Sequence, residues 1–155
     1  MKHRFLLDEN ILHFAIKGVD RDGNPDRTST QLVQLVAHNC HSIILNEFLR
    51  GRYWFHVNQL ITERDRTFAL EPVFFIVQLL KNSLKWVLRS EECPQLPQGA
   101  PIPNEDIEIV RLALLAGAVI VTGDEDLQTA VNNSAGVLHI QALTPGQALN
   151  LAEDM

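Results

Sequence analysis

Short, continuously apolar runs recur along the chain, and helical patterns follow them. Residues 5–7 are all apolar and precede Asp8, and residues 119–121 are all apolar and precede Thr122-Gly123-Asp124. Short runs that are apolar at every position are typical of strands buried on both faces, as in parallel sheets. Parallel strands need long crossover connections, which are usually helices. The alternation of such runs with helical segments therefore predicts an α/β fold around a parallel sheet.

The spacing of apolar residues, helix caps and prolines predicts where the strands and helices begin and end. Strands are predicted at residues 4–7, 41–45, 118–122 and 136–140. Helices are predicted at residues 10–16, about 28–39, 47–66, 71–89, 104–116 and 124–132, with a terminal helix that starts at Thr144-Pro145-Gly146. The proline-rich segment 90–103 is predicted to be a loop. Together these elements predict a three-layer α/β/α sandwich, with residues 47–89 forming a helical hairpin in the middle of the chain.

Length and composition favour one globular domain, residues 1–155. The chain is 46% hydrophobic and 21% charged, which is ordinary for a globular protein. Cys40 and Cys93 form no disulfide framework or zinc pattern, so a reduced cytoplasmic setting is expected. The apolar run after Met1 stops at Asp8, too early for a signal peptide, and the longest apolar stretch, 112–121, is too short for a membrane span.

The charge of the chain is unevenly distributed. The net charge is −6, which argues weakly against a nucleic-acid partner. Residues 47–89, however, carry seven Lys or Arg and only four Asp or Glu. Eight of the aromatic residues also lie between residues 48 and 86. This segment is predicted to be either a satellite core of the hairpin, or a surface that serves as a homodimer interface or stacks RNA bases.

Acidic residues lie next to several of the predicted strands and helices. They are Asp8, Glu47, Asp106, Asp124 and Asp126. Each one alone could be a helix N-cap or an ordinary first-turn charge. Open parallel sheets, however, bind ligands at the carboxyl ends of their strands, where these acids can converge. A converged set of carboxylates suits Mg²⁺ or Mn²⁺, and these ions promote phosphodiester hydrolysis.

Two regions of the sequence resemble the motifs of PIN-domain nucleases. Residues 6–12, LLDENIL, resemble the opening motif of that family. Residues 103–106 (PNED), 110–118 (VRLALLAGA) and 121–127 (VTGDEDL) are similar to its C-terminal signature. Residues 140–149 also resemble the last strand and helix of the family. The resemblance covers the two ends of the chain and is weak between residues 48 and 100.

The resemblance implies a function and a set of site residues. The implied activity is metal-dependent cleavage of single-stranded RNA with Mg²⁺ or Mn²⁺, often by the toxin of a toxin–antitoxin pair, which would add an antitoxin protein as a partner. The implied catalytic and metal-binding acids are Asp8, Glu47, Asp106 and Asp124, with Asp126 as an auxiliary metal ligand and with Thr122 and Asn10 as polar supports. Glu9 departs from the family pattern, which usually has a small or hydroxyl residue there; its side chain either points away from the site or adds a carboxylate.

Two other classes of function remain as alternatives. One is a non-catalytic PIN-like module that binds RNA or a protein. The other is a phosphoryl-accepting receiver or phosphatase domain, which also uses acids at strand ends. That class would have a second Asp two residues after Asp8, where this chain has Asn10, and it would have a Lys after Thr122, which is missing.

Overall fold

A computed structural model describes residues 2–39, 41–62, 76, 85–88, 93–97 and 101–153. Within these ranges five parallel strands form one sheet in the order β3-β2-β1-β4-β5. The strands are β1 (Arg4–Leu7), β2 (Ser42–Asn46), β3 (Lys85–Leu88), β4 (Val119–Val121) and β5 (Ala142–Leu143). The predicted α/β class with a central parallel sheet is confirmed.

Helices flank this sheet. They are α1 (Glu9–Lys17), α2 (Thr28–His38), α3 (Glu47–Ile61), α4 (Ile107–Ala116), α5 (Glu125–Asn133), α6 (Ala135–Leu138) and α7 (Pro145–Glu153), and a 3₁₀ turn at Asn104–Asp106 leads into α4. Helix α2 packs against both α1 and α7. Helix α4 packs against β1, β2 and β4. No helix in the described parts of the chain is long and apolar enough to cross a membrane.

Strand β1 lies at the centre of the sheet and of the core. Phe5, Leu6 and Leu7 are fully buried, as expected for a strand covered on both faces. β1 pairs with β2 on one side and with β4 on the other. From the central strand β1, strands β2 and β3 follow on one side of the sheet, and strands β4 and β5 follow on the other side. In such sheets the crevice for ligands opens at the carboxyl ends of the two central strands, here β1 and β4.

Local signals at the helix ends agree with this arrangement. Asp8 is the N-cap of α1 and accepts a hydrogen bond from Glu9 N. Asn46 is the N-cap of α3, where its side chain accepts from Leu49 N at 2.7 Å. Farther along α3, the buried hydroxyl of Tyr53 donates to the carbonyl of Leu7 at the end of β1. These bonds fix the starts of α1 and α3 beside the carboxyl edge of the sheet.

Two sequence predictions are wrong in the structure. Residues 85–88, predicted as the end of a helix, form β3, because pairing with β2 outweighs their helical spacing. Residues 136–140, predicted as a strand, include the helical turn α6, which ends at His139 in the left-handed region with φ 57°. The strand that pairs with β4 is instead β5.

The remaining predictions for the middle of the chain are tested only in part. Helix α3 ends at Ile61, and Ile76 is helical. The predicted continuation of the first hairpin helix, at residues 63–66, and most of the predicted helix 71–89 lie outside the described residues. The predicted helix 104–116 begins with the 3₁₀ turn at Asn104–Asp106, and Asp106 occupies the N-cap position of α4.

The left-handed glycine that ends α4 gives a test of the fold. Gly117 has φ +61°, so Gly117→Ala should lower the free energy of unfolding by about 1 kcal/mol. Gly136 lies in α6 with no positive φ, and outside its own helix backbone and chain neighbours no heavy atom of the described residues lies within 4 Å of the position that an added methyl group would take, so Gly136→Ala should be neutral or slightly stabilising. Urea denaturation of both variants measures the difference. Equal stability of the two variants would contradict the assigned end of α4.

Candidate functional site

Asp8 is fixed at the carboxyl end of β1 by hydrogen bonds on both sides of its side chain. Its Oδ1 accepts from Glu9 N at 2.8 Å, and its Oδ2 accepts from the Thr122 hydroxyl at 2.8 Å. Its own backbone N donates to the carbonyl of Val121 at 2.8 Å, which extends the β1–β4 pairing by one residue. Only 7% of Asp8 is exposed. The carboxylate is therefore held in one orientation at the switch point of the sheet.

The loop after β4 brings a second carboxylate to the same edge. The buried Thr122 hydroxyl accepts from Asp124 N at 3.0 Å while it donates to Asp8. The side chain of Asn10 accepts from Gly123 N at 3.3 Å. Asp124 Oδ1 caps α5 by accepting from Asp126 N and Leu127 N. Thr122 and Asn10, the predicted polar supports, thus accept hydrogen bonds from the backbone N atoms of Asp124 and Gly123, respectively.

Asp106 comes from the opposite direction, at the start of α4. It is only 7% exposed, and its Oδ2 atom has no hydrogen-bond partner among the described residues. A buried carboxylate oxygen without a partner is costly, because neither water nor the protein compensates for its lost hydration. This oxygen is therefore the atom most open to a further group among the buried side-chain atoms of the described residues.

The three carboxylates influence one another electrostatically. Burial raises the pKa of Asp106 to about 6, with contributions from the charges of Asp8, Asp124 and Glu105. Burial also raises the pKa of Asp8, and the charges of Glu9 and Asp124 add to that effect, although the hydrogen bonds from Thr122 and Glu9 N oppose it. Asp8, Asp106 and Asp124 are therefore close enough to repel one another, which is the behaviour of a converged acidic set.

Asp8 and Asp106 line one cavity of about 350 Å³. Glu9, Asn46, Phe48 and Arg52 also line its wall, as do Leu49, Glu105, Glu108, Ile109 and Leu112. A second cavity of the same volume lies beside Thr122 and Gly123, with Arg21 and Glu125 forming an ion pair of 2.6 Å at its wall. That second cavity is lined by none of the five predicted site acids. The first cavity is therefore the candidate site.

Glu9 belongs to an ion-pair cluster that the sequence did not indicate. Its carboxylate accepts two hydrogen bonds from Arg52, at 2.9 and 2.7 Å, and lies 2.7 Å from Nε2 of His56. Partial burial raises the pKa of Glu9, but the hydrogen bonds and charges of Arg52 and His56 outweigh it, so the pKa is lowered. The Glu9 carboxylate is thus directed toward α3. Arg52 and His56 lie more than forty residues away along the chain, so no local motif could reveal them.

Glu47 and Asp126 lie at exposed positions. Glu47 is on the first turn of α3 and lines a shallow depression with Phe48, Gly51 and Phe55, whereas its neighbour Asn46 lines the cavity of Asp8 and Asp106. Asp126 is in the first turn of α5, where its backbone N donates to Asp124. The role of both acids as metal ligands stays a prediction.

Carboxylate oxygens are ligands that hard divalent cations such as Mg²⁺ and Mn²⁺ prefer. A cation would compensate the orphaned Oδ2 of Asp106 and reduce the repulsion from Asp8 and Asp124. Among the described residues, however, no three His, Cys, Asp or Glu side chains form a ready-made metal-binding group. Mg²⁺ commonly binds through only one or two carboxylates, with water and substrate phosphate as its other ligands. The residues therefore fit a cation that takes most of its ligands from water or from a bound phosphate.

Comparisons with known proteins place the chain in no family. No family model matches it, and no curated protein matches it. Among solved structures, it is similar to a chain in the crystal structure of VapBC2 from Rickettsia felis bound to a DNA fragment from their promoter. The TM-score is 0.49 and the sequence identity is 14%, over 91% of this chain and 98% of that chain. A likeness at this level establishes neither a family nor an activity.

The raised pKa of Asp106 predicts a particular dependence of stability on pH. Between pH 4 and 6 the folded protein holds a proton that the unfolded chain has released, so the free energy of unfolding falls as the pH rises through this window. Asp106→Asn removes this effect. In the presence of EDTA the variant should be more stable than the wild type by about 1 to 2 kcal/mol at pH 7, and the difference should vanish near pH 4.

Denaturant titrations at pH 4 and pH 7 measure this difference. Glu105→Gln is the matched control, because Glu105 lies in the same turn but is exposed, and its effect should be much smaller. A destabilised Asp106→Asn variant at pH 7 would show that the carboxylate is satisfied in the folded protein.

Proposed function

We propose that this chain is a metal-dependent endoribonuclease that cleaves single-stranded RNA. The observation that carries the proposal is the buried Oδ2 of Asp106, which has no partner among the described residues and belongs to a carboxyl whose pKa is raised by burial and by the charges of Asp8 and Asp124. The sequence motifs around these acids resemble those of PIN-domain nucleases, and this resemblance supplies the choice of RNA as the substrate.

Asp8, Asp106 and Asp124 would hold Mg²⁺ or Mn²⁺, and Glu47 and Asp126 are the further predicted ligands. The bound cation would supply activation of water and stabilisation of charge on the phosphate. Thr122 keeps the Asp8 carboxylate in its orientation through the 2.8 Å hydrogen bond. Asn10 holds the loop of Asp124 through Gly123 N. The low exposure of Asp8 and Asp106 limits competing water around the carboxylates.

We also infer partners from the resemblance: an antitoxin protein encoded beside this chain, and a second copy of the chain as a homodimer. An adjacent small gene whose product co-purifies with this chain supports the first partner. Light scattering of the purified chain measures the second. Neither partner is needed for the chemistry that the acids would perform.

The nuclease proposal predicts loss of activity from small changes at the site. Wild-type protein with Mn²⁺ or Mg²⁺ should cleave a labelled single-stranded RNA, and EDTA should abolish the cleavage. Asp8→Asn should abolish it too, because the amide removes the negative charge that a cation needs. Thr122→Ala should reduce the rate by about 10- to 100-fold, because it removes the support of a ligand rather than the ligand. Gel-resolved cleavage rates measure all three.

A matched surface variant keeps this test specific. Glu153→Gln removes an exposed acid at the end of α7 and should cleave at the wild-type rate when purified in the same way. Glu47→Gln decides whether Glu47 belongs with the other acids: a loss comparable to Asp8→Asn would include it. Cleavage that persists in EDTA, or in Asp8→Asn at full rate, would rule out the mechanism.

The second candidate is a non-catalytic PIN-like module that binds RNA or a protein. The observation that favours it is that the described acids form no ready-made group of three metal ligands. Calorimetric titration with Mn²⁺ separates the two proposals. Binding that disappears in Asp106→Asn favours the nuclease, and the absence of binding at millimolar Mn²⁺, with and without RNA, favours the module.

A further inference from the structure

The outward side of α3 carries aromatic and basic residues directly beside the acidic cavity. We call this surface the aromatic face of α3 and define it as Phe48, Arg52, Phe55 and His56. The side chains of Phe48 and Phe55 are 60% and 65% exposed, which is unusual for large apolar rings. The spacings of four, three and one residues place all four on one side of the helix. Gly51, which has no side chain, leaves a shallow depression between the two rings.

Arg52 connects this face with the acidic cavity. It lines the cavity of Asp8 and Asp106, and it also lines the depression between Phe48 and Phe55. Its guanidinium carbon lies 5.6 Å from the centre of the Phe48 ring. Glu9 accepts from two of its nitrogens, and a guanidinium has five N–H donors in all. The Arg52 side chain is therefore fixed in position and still has donors for another acceptor.

We propose that the aromatic face of α3 binds the RNA strand next to the acidic cavity. Bases stack on Phe48 and on Phe55, and Arg52 donates to a backbone phosphate between them. The inference rests on the proposed function and adds to it the surface that holds the substrate. Such binding does not depend on base identity, because every base presents a flat π face.

The geometry of the rings favours a nucleic-acid strand over a protein partner. Phe48 and Phe55 are seven residues apart, so their Cα atoms are separated by about 10 Å along the helix axis. A glycine and a cation lie between them, so the rings form no continuous apolar patch with the described residues that line the depression. A stable protein interface needs about 800 Å² on each partner. Two separate rings with a cation between them match the alternation of bases and phosphates along a single strand.

The hydrogen-bond donors of Arg52 also favour a phosphate beside it. The cavity itself is lined by Asp8, Asp106, Glu105 and Glu108, which would repel a nucleic acid. Arg52 and His56 provide donors at the rim, and Glu9 keeps both in place. The rim of the site thus supplies hydrogen-bond donors that the acids lack, while Glu9 offsets the charge of Arg52 and Glu47 also lines the depression.

Binding can be measured separately from cleavage. The probe is a short fluorescent oligouridylate, and the protein is Asp8→Asn in EDTA, so that no cleavage occurs. Adding Phe48→Leu or Phe55→Leu keeps an apolar side chain but removes the ring, and each should weaken binding roughly tenfold. Adding Arg52→Gln should reduce the slope of log affinity against log salt by about 0.7, the value expected for loss of one phosphate contact on a single strand. Fluorescence anisotropy measures both.

Matched controls lie elsewhere on the surface. Val137→Ala changes an apolar side chain that is 47% exposed, and Arg21→Gln removes another ion-paired surface arginine, the partner of Glu125. Neither should change affinity or salt slope. Glu9→Gln should tighten binding, because it removes a negative charge while the Arg52 cation stays. Circular dichroism confirms that each variant is folded.

The outcomes separate this inference from the nuclease proposal. Unchanged oligouridylate affinity in both Phe variants would overturn the inference, even if the wild type cleaves RNA with Mn²⁺. Unchanged affinity together with dissociation of a dimer in light scattering would assign the face to a second copy of the chain instead. Weakened binding in the Phe variants supports the inference, and failure of the wild type to cleave RNA under any metal condition would count against the nuclease proposal alone.

Discussion

The pairing of β1 with β4 is the constraint on which the site depends. At the end of this pair the backbone N of Asp8 donates to the carbonyl of Val121, and the Thr122 hydroxyl donates to the Asp8 carboxylate. The order of the strands reverses between β1 and β4, and open parallel sheets bind ligands in the crevice beyond the carboxyl ends of the strands at such a point. These bonds extend the pairing of β1 with β4 and orient the Asp8 carboxylate. Because the Thr122 hydroxyl also accepts from the backbone N of Asp124, they hold Asp124 at the same edge of the sheet.

The protein maintains this site at a cost to its stability. Asp8 and Asp106 are each 7% exposed, and burial raises the pKa of both carboxyls. Buried groups with strongly shifted pKa values are more common at functional sites than elsewhere. Glu9 gives the contrast within the same cavity: it lies more in solvent, and Arg52 and His56 lower its pKa. The site therefore combines a buried carboxylate oxygen without a partner among the described residues, Asp106 Oδ2, with a neighbouring carboxylate, Glu9, that has ion-pair partners.

Local signals predict part of this structure, and contacts between distant residues explain the rest. The buried runs of β1, β2 and β4 could be predicted because each is apolar at consecutive positions. β3 could not, since its identity depends on pairing with β2 across the sheet. The position of Asp8 follows from the end of its strand. Glu9 and Arg52 are 43 residues apart in sequence, so no local sequence pattern could predict the hydrogen bonds between them.

The three acids that interact at the edge of the sheet share the N-cap position. Asp8, Asp106 and Asp124 are the N-cap residues of α1, α4 and α5; the side chains of Asp8 and Asp124 accept from N–H groups at their helix starts, whereas Asp106 makes no side-chain cap hydrogen bond. Asn46 holds this position in α3, lines the cavity, and binds Leu49 N. Glu47 is one residue later and lines the exposed depression on α3, although Glu9, at the equivalent position of α1, does line the cavity. A rule that selects acids after strands cannot distinguish these two positions, whereas a rule that selects N-caps assigns the fourth polar group to Asn46.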